Sequence, residues 1–238
     1  SQARTIDLIS GEASSGFTMK GYPHRAIFSM PFKGLTDKGI PTYLNEKNEL
    51  TSTDLDFQNR IDNSYLIYEG PTEPTITGSL GNELKWKNWR LNVFVTYSFG
   101  SYVRLDPVFS ARYNDLTSMT KEFKNRWVQA GDELTTNVPG ILPYRSYASN
   151  RRLRIAYNAY NYTSNRTAKG DFVRMKEISL GYDLPKSLLQ STPFTTLSLK
   201  LQATNLFLIY ADKKLNGQDP EFVNAGGVAA PLPRQFTM

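Results

Sequence analysis

The segment Thr75–Gly100, TITGSLGNELKWKNWRLNVFVTYSFG, constrains the fold more than any other stretch of the chain. It reads as two β-strands joined by a two-residue turn, Lys87-Asn88, between Trp86 and Trp89. Ile76, Leu80, Leu84 and Trp86 share the even positions of the first strand, and Trp89, Leu91, Val93, Val95, Tyr97 and Phe99 the odd positions of the second. Period-two alternation puts the intervening polar residues on the opposite face. Only Asn82 and Phe94 interrupt it. Two settings produce such a pattern: a soluble antiparallel sheet with one buried face, or a membrane barrel with one face in lipid. At about 3.3 Å per residue, Trp89–Phe99 spans about 36 Å and, tilted by about 45°, rises roughly 25 Å, the height of an outer-membrane apolar band. Aromatic residues at both ends fit interfacial girdles.

Composition narrows the function classes. With 238 residues the chain has room for one sizeable β domain or two small ones. A hydrophobic content of 39% is compatible with a barrel, where only one face of each strand is apolar. No run of about 20 apolar residues forms a transmembrane helix. Ser1 does not open a signal peptide, so an exported protein of this sequence begins after processing or partway along a longer chain. The net charge of +6 has one local cluster, Arg151, Arg152 and Arg154, without the motifs of a nucleic-acid binder. Cysteine is absent and His24 is the single histidine, which excludes disulfides, thiol catalysis and thiolate- or histidine-based metal centres. No nucleophile motif occurs and nothing pairs two carboxylates for glycoside hydrolysis, so the chain is not expected to be an enzyme or to hold a cofactor.

Along the chain, Ser1–Gly21 reads as a linker with at most a fragment of strand. A strand is expected over Arg25–Phe32, ending or bulging at Pro31. Gly34–Gly70 reads as a polar loop holding a small hairpin, Pro41–Leu44 with Glu49–Ser52; its acids, Asp37, Asp54, Asp56, Asp62 and Glu69, lack calcium-loop spacing. Ser101–Gly170 is a second long connection, with strand-like pieces near Tyr102–Phe109. Leu116, Met119, Phe123 and Trp127 predict a helix within Asn114–Ala130, and the Tyr/Asn-rich run Tyr157–Tyr162 predicts irregular structure. Asn161 and Asn165 open two glycosylation sequons that match by chance. Strands follow over Asp171–Leu184 and Thr195–Phe207, with a helical turn over Pro185–Gln190 between them and a last strand from Pro233.

Connections therefore alternate between short (Lys87-Asn88, Pro185–Pro193) and long (Gly34–Pro74, Ser101–Gly170, Ala211–Leu232). Outer-membrane barrels have short periplasmic turns and long extracellular loops, so the pattern favours the barrel. Fewer strands are legible than the roughly eight that closure requires, so the chain is expected to be one part of a larger barrel.

The order of several motifs resembles the C-terminal part of the SusC/RagA family of TonB-dependent outer-membrane transporters, typical of Bacteroidota. The matching pieces are Gly21-Tyr-Pro with Ala26-Ile-Phe-Ser29, Gly34-Leu-Thr with Gly39-Ile-Pro41, Gly70-Pro-Thr-Glu-Pro74 leading into the hairpin, and Asn125-Arg-Trp127 with Gly131-Asp132. More specific are Asp171-Phe-Val-Arg-Met-Lys-Glu-Ile-Ser-Leu-Gly-Tyr-Asp-Leu-Pro185, Asn205-Leu-Phe207, Asp219-Pro-Glu221 and Pro231-x-Pro-Arg-x-Phe-Thr237. The resemblance implies an all-β fold in which residues 1–238 supply antiparallel C-terminal strands and long extracellular loops of a barrel of about 22 strands. It implies a plug domain on another stretch, a SusD-like surface lipoprotein as lid, TonB acting through the plug, and glycan or oligopeptide cargo. The chain departs from a complete member in lacking the plug and in stopping at Met238, before the usual aromatic terminal residue.

Within that frame, Glu83, Lys85, Arg90, Asn92, Thr96, Glu177, Lys200 and Gln202 form the expected lumen-facing set. Arg126, Trp127, Asp132 and Tyr144, in the long connection, are the candidate ligand-binding residues: rings to stack and polar groups to hydrogen-bond a polar polymer. The competing reading of the chain is a soluble, secreted, β-rich carbohydrate-binding module.

Overall fold

The computed structural model describes residues 4–14, 16–58, 63–110, 116, 118–223 and 232–238. The chain divides into two compact units, Ser1–Glu73 with Tyr102–Ala168, and Pro74–Ser101 with Lys169–Met238.

In the first unit, helix α1 (Thr5–Ser14) is followed by strands β1 (Ala26–Ser29), β2 (Phe32–Leu35), β3 (Pro41–Leu44), β4 (Leu50–Thr51) and β5 (Ile67–Pro71). Labels follow chain order, so β6 and β7 belong to the second unit. The first unit resumes with β8 (Tyr102–Arg104), helices α2 (Tyr144–Ser149) and α3 (Arg151–Tyr160), and β9 (Thr167–Lys169). Its strands form three small sheets, β1-β5, β2-β3-β4 and β8-β9. The Pro41–Leu44 hairpin is present as expected. The predicted Arg25–Phe32 strand is split at Pro31: β1 pairs with β5, while β2 pairs with β3.

Three expectations are corrected here. Ser1–Gly21 is not a linker, because Thr5–Ser14 is helical. The Asp7 carboxylate accepts from the Arg4 backbone N–H at 3.2 Å, closing the first turn, and Leu8 and Ile9 are buried in the core. Packing of that apolar stripe supplies what the composition of a short helix does not. Tyr157–Tyr162 is not irregular, since α3 runs through Tyr160. The Asn150 side chain caps α3 by accepting from Leu153 N–H at 3.1 Å, and Ala156, Tyr157, Ala159 and Tyr160 are its buried face. The helix predicted within Asn114–Ala130 is absent among the described residues; Asn114, Asp115 and Thr117 lie outside them. Lys121–Asn125 forms a short 3-10 turn, Leu116 is 98% exposed, and Trp127 N–H bonds to the Val138 carbonyl at 2.9 Å. Cross-loop pairing of the Trp127 segment prevails over the three-four spacing.

Leu8, Phe28, Tyr43, Leu66, Ala156 and Ala159 share one apolar core. Several polar groups inside the unit are matched by partners within it. The Tyr43 hydroxyl donates to the Ala156 carbonyl at 2.6 Å. Arg104 donates to the Phe28 and Thr163 carbonyls and to Ser29 Oγ at 2.6, 3.2 and 3.0 Å. Burial pushes the Arg104 guanidinium down to about 10, with Glu69 and Tyr162 acting in the opposite sense. Asn161 is buried; its side-chain oxygen accepts from Val108 and Phe109 N–H, both at 3.1 Å, which leaves that sequon's asparagine engaged within the fold.

The second unit is one antiparallel sheet made of β6 (Ile76–Trp86), β7 (Trp89–Phe99), β10 (Phe172–Asp183), β11 (Ser198–Ala211) and β12 (Gln235–Thr237), in the order β12-β11-β10-β7-β6. A one-turn helix, α4 (Lys186–Leu189), lies between β10 and β11, as Pro185 predicts. Ile76 pairs with Phe99 and Trp86 with Trp89, so the β6–β7 hairpin has the expected register, with Lys87 at φ 52° in the turn. Phe172 pairs with both Ser98 and Ala211. The segments 1–74, 100–171 and 212–234 therefore all leave the sheet at one end, and the two short connections lie at the other. Asp183 ties that short end together: its backbone exchanges bonds with Asn88, and its carboxylate takes Arg90 and Ser198, both at 2.6 Å.

Candidate functional site

Directly opposed residues of an antiparallel sheet share a face, so the register assigns the paired strand positions of the second unit to two surfaces. On one surface, rows run Trp86–Trp89–Tyr182–Leu199, Leu84–Leu91–Leu180–Leu201, Asn82–Val93–Ile178–Ala203, Leu80–Val95–Met175–Phe207 and Gly78–Tyr97–Val173–Tyr210. Asn82 is the one polar side chain among them. The face is open: Leu84 is 58% exposed, Leu201 55% and Phe207 50%. Aromatic rows bound it at both ends. Trp89 packs on Tyr182 with ring centroids 4.6 Å apart, and Tyr97 lies over Gly78, where a Cβ would fall 2.4 Å from its hydroxyl.

Three irregularities keep this face apolar along β10 and β11, one of them between Leu208 and Tyr210 of β11. Met175 and Ile178 both point to it although three residues apart, because the register shifts between Met175 and Glu177. In β11 the shift falls between Thr204 and Phe207, with Asn205 at φ 54°. Bulges of this kind reset strand parity, and asparagine tolerates the left-handed backbone better than most side chains.

The opposite surface is polar. All eight residues of the expected lumen-facing set fall on it: Lys85 opposes Arg90, Glu83 opposes Asn92, Thr96 opposes Ser79, Gly181 lies between Arg90 and Lys200, Ser179 lies between Asn92 and Gln202, and Glu177 opposes Phe94 and Thr204. Large apolar side chains also stand there: Phe94, set over Gly81, with Phe172 opposite Ser98 and Leu208 opposite Arg174. On this surface Arg174 is 3% exposed and Asp219 0%, and they form an ion pair at 2.5 Å, with Glu221 at 3.5 Å from Arg174 Nε. Glu221 N–H also donates to Asp219 at 3.1 Å. The long β10 motif and Asp219-Pro-Glu221, far apart in sequence, thus meet in one buried contact that sequence spacing gave no means of finding.

The candidate ligand-binding residues lie in the first unit. Arg126, Trp127 and Asp132 share one loop. The Arg126 guanidinium sits over the Phe123 ring at 4.8 Å. The Trp127 ring covers Gly39 and Gly140, and a Cβ on Gly39 would fall 2.5 Å from it. The Trp127 indole N–H donates to Glu133 at 3.0 Å, which together with backbone donors holds that carboxyl below the usual carboxylate range. Asp132 accepts from Val128 and Gln129 N–H, both at 3.0 Å. Tyr144 is on α2, 56% exposed and stacked with Tyr147 at 6.4 Å. Among the described residues, no group of three or more acidic or histidine side chains is arranged to hold a metal ion, and no helix is long and apolar enough to cross a membrane.

No family model matches the chain. It is 28% identical over 223 residues to TonB-dependent receptor P3 of Formosa agariphila, a match that covers 92% of this chain and 20% of the receptor. Among solved structures it is similar to chains of the RagAB peptide transporter (TM-score 0.64, 20% identity, 94% of this chain and 23% of that one). It is also similar to the RagAB peptide importer in its open-open state (TM-score 0.61, 20% identity, 92% and 23%). The chain therefore spans about a fifth to a quarter of the length of these relatives. In sequence the chain is similar to one portion of a TonB-dependent receptor, and in fold to one portion of the RagAB chains.

Proposed function

We propose that the five-stranded sheet is a stretch of outer-membrane barrel wall, with its apolar surface in lipid and its polar surface toward the lumen, in a TonB-dependent importer of large nutrients. The observation that carries this reading is the open apolar surface bounded by aromatic rows. In water, contiguous exposed apolar area of this kind is an association hazard; in a bilayer it is the ordinary condition of a barrel. Residues 1–238 act as the C-terminal part of the barrel, with the short connections at the periplasmic side and the three long segments extracellular. Glycans or oligopeptides are the cargo class. A SusD-like lipoprotein acts as the lid over the extracellular side, and TonB works through a plug on another stretch of the protein. The contribution of this portion is passive: a polar wall along the route of the cargo, and a separately folded unit built from the long segments. It carries no bond-breaking chemistry.

Gentle detergent extraction of the full-length protein from native membranes, followed by mass spectrometry of what co-purifies, tests the proposal. The expected result is an outer-membrane protein that needs detergent and brings a SusD-like lipoprotein with it. A species that is monodisperse in plain buffer, with no lipoprotein partner, overturns it in favour of a soluble binding module.

A further inference from the structure

The first unit carries a cationic face that its own fold does not neutralise. Residues 144–160, YRSYASNRRLRIAYNAY, hold Arg145, Arg151, Arg152 and Arg154 and no acidic residue. Among the described residues none of these four guanidiniums forms an ion pair. Arg151 and Arg152 also occupy the first turn of α3, where the helix dipole disfavours cations. The positions Arg151, Arg154, Ile155 and Asn158 recur at helical spacing, so they share one side of α3. A cavity of about 340 Å³ opens on that side, lined by Phe109, Tyr147, Arg154, Ile155 and Asn158. The Arg154 guanidinium lies over the Tyr147 ring at 5.5 Å, and Tyr147 in turn packs on Phe109 and Tyr144 at 6.3 and 6.4 Å. Arg154 is thereby held beside a cavity of mixed lining, in which Phe109, Tyr147 and Ile155 supply the apolar part.

We propose that this face is a subsite for acidic peptides: Arg154 and Arg151 take a carboxylate, and the apolar side chain beside it enters the cavity. The inference rests on the importer reading and names the charge class of its cargo. Charge complementarity selects an anion, because a carboxylate relieves both the mutual repulsion of the arginines and their conflict with the helix end. The cavity selects a peptide over a sugar. Phe109 and Ile155 offer a hydroxyl-bearing ring no hydrogen bonds, whereas they suit an aliphatic or aromatic side chain. Asn158 can both donate to and accept from a peptide bond.

The test uses the full-length transporter in detergent and three fluorescein-labelled probes: a Glu-rich octapeptide ending in Leu, the same peptide with Lys for Glu and an amidated C-terminus, and an oligogalacturonate. The wild type is expected to bind the acidic peptide at least about tenfold more tightly than the Lys peptide, with the preference shrinking as salt rises. Arg151→Gln/Arg154→Gln is expected to remove the preference by weakening the acidic peptide, without weakening the Lys peptide. Equal binding of the two peptides by the wild type overturns the inference without reference to any variant, as does a preference that the double substitution leaves intact. Arginine-dependent binding of the oligogalacturonate in place of the acidic peptide overturns the peptide assignment. The importer reading fails separately, by the co-purification result above.

Discussion

Val93→Arg is expected to cut outer-membrane abundance of the full-length protein severely, while Asn92→Arg leaves it close to wild type. The two positions are adjacent in β7 and share backbone geometry, so strand propensity cannot separate them. Val93 sits in the row Asn82–Val93–Ile178–Ala203, midway between the Trp86–Trp89–Tyr182 and Tyr97–Val173–Tyr210 rows. In a bilayer that row lies near the midplane, where an arginine on the lipid side costs about 2–4 kcal/mol. Asn92 lies on the other surface beside Ser179, its side-chain amide 3.4 Å from Ser179 Oγ, where a guanidinium keeps its water. Quantitative immunoblotting of outer-membrane fractions reads the difference. Equal loss at both positions contradicts the facing.

The second large effect is expected at the Arg174–Asp219 pair. With both side chains almost wholly buried, Arg174→Met strands a carboxylate and Asp219→Leu strands a guanidinium; either loss costs about 3–5 kcal/mol. The double substitution removes both charges together and is expected to be less damaging than either single change. Urea unfolding of the barrel in lipid vesicles, followed by the mobility difference between folded and unfolded protein on gels, measures all three variants. A double variant whose loss equals the sum of the singles means that the pair is not energetically coupled.

Legibility in the sequence followed the physics of each element. The β6–β7 hairpin was readable because its alternation is nearly unbroken and its turn is two residues long, so register follows once the turn is placed. The short-long rhythm of the connections was readable for the same reason, and the sheet bears it out with every long segment at one end. The bulges in β10 and β11 were not anticipated, although Met175 and Ile178, both apolar and three apart, carry the signal of a parity reset. Helices α1 and α3 were hidden by composition. Gly11 and a serine pair made α1 look like a linker, and asparagines and tyrosines made the end of α3 look irregular. In α3 the Asn150 cap and the spacing of Ala156, Tyr157 and Tyr160 carry the helical signal. The Asn114–Ala130 helix failed in the opposite sense, where a spacing signal lost to cross-loop pairing at Trp127. Of the four candidate ligand residues, Arg126, Trp127 and Asp132 come together in one loop, and Tyr144 stands on a separate helix. The buried Arg174–Asp219 contact joins motifs that only the fold brings together.

The central claim is that the apolar surface of the sheet contacts lipid. This stretch contains no cysteine, so single cysteines placed in turn from Leu91 to Tyr97 report on one position each. Labelling with a membrane-impermeant maleimide in native outer membranes, paired with quenching of a fluorescent label by a lipid-soluble quencher, measures the facing directly. The predicted result has period two: positions 91, 93, 95 and 97 resist the aqueous reagent and are quenched from lipid, while 92, 94 and 96 show the reverse. Uniform aqueous labelling along the strand, or quenching of the even positions, would contradict it.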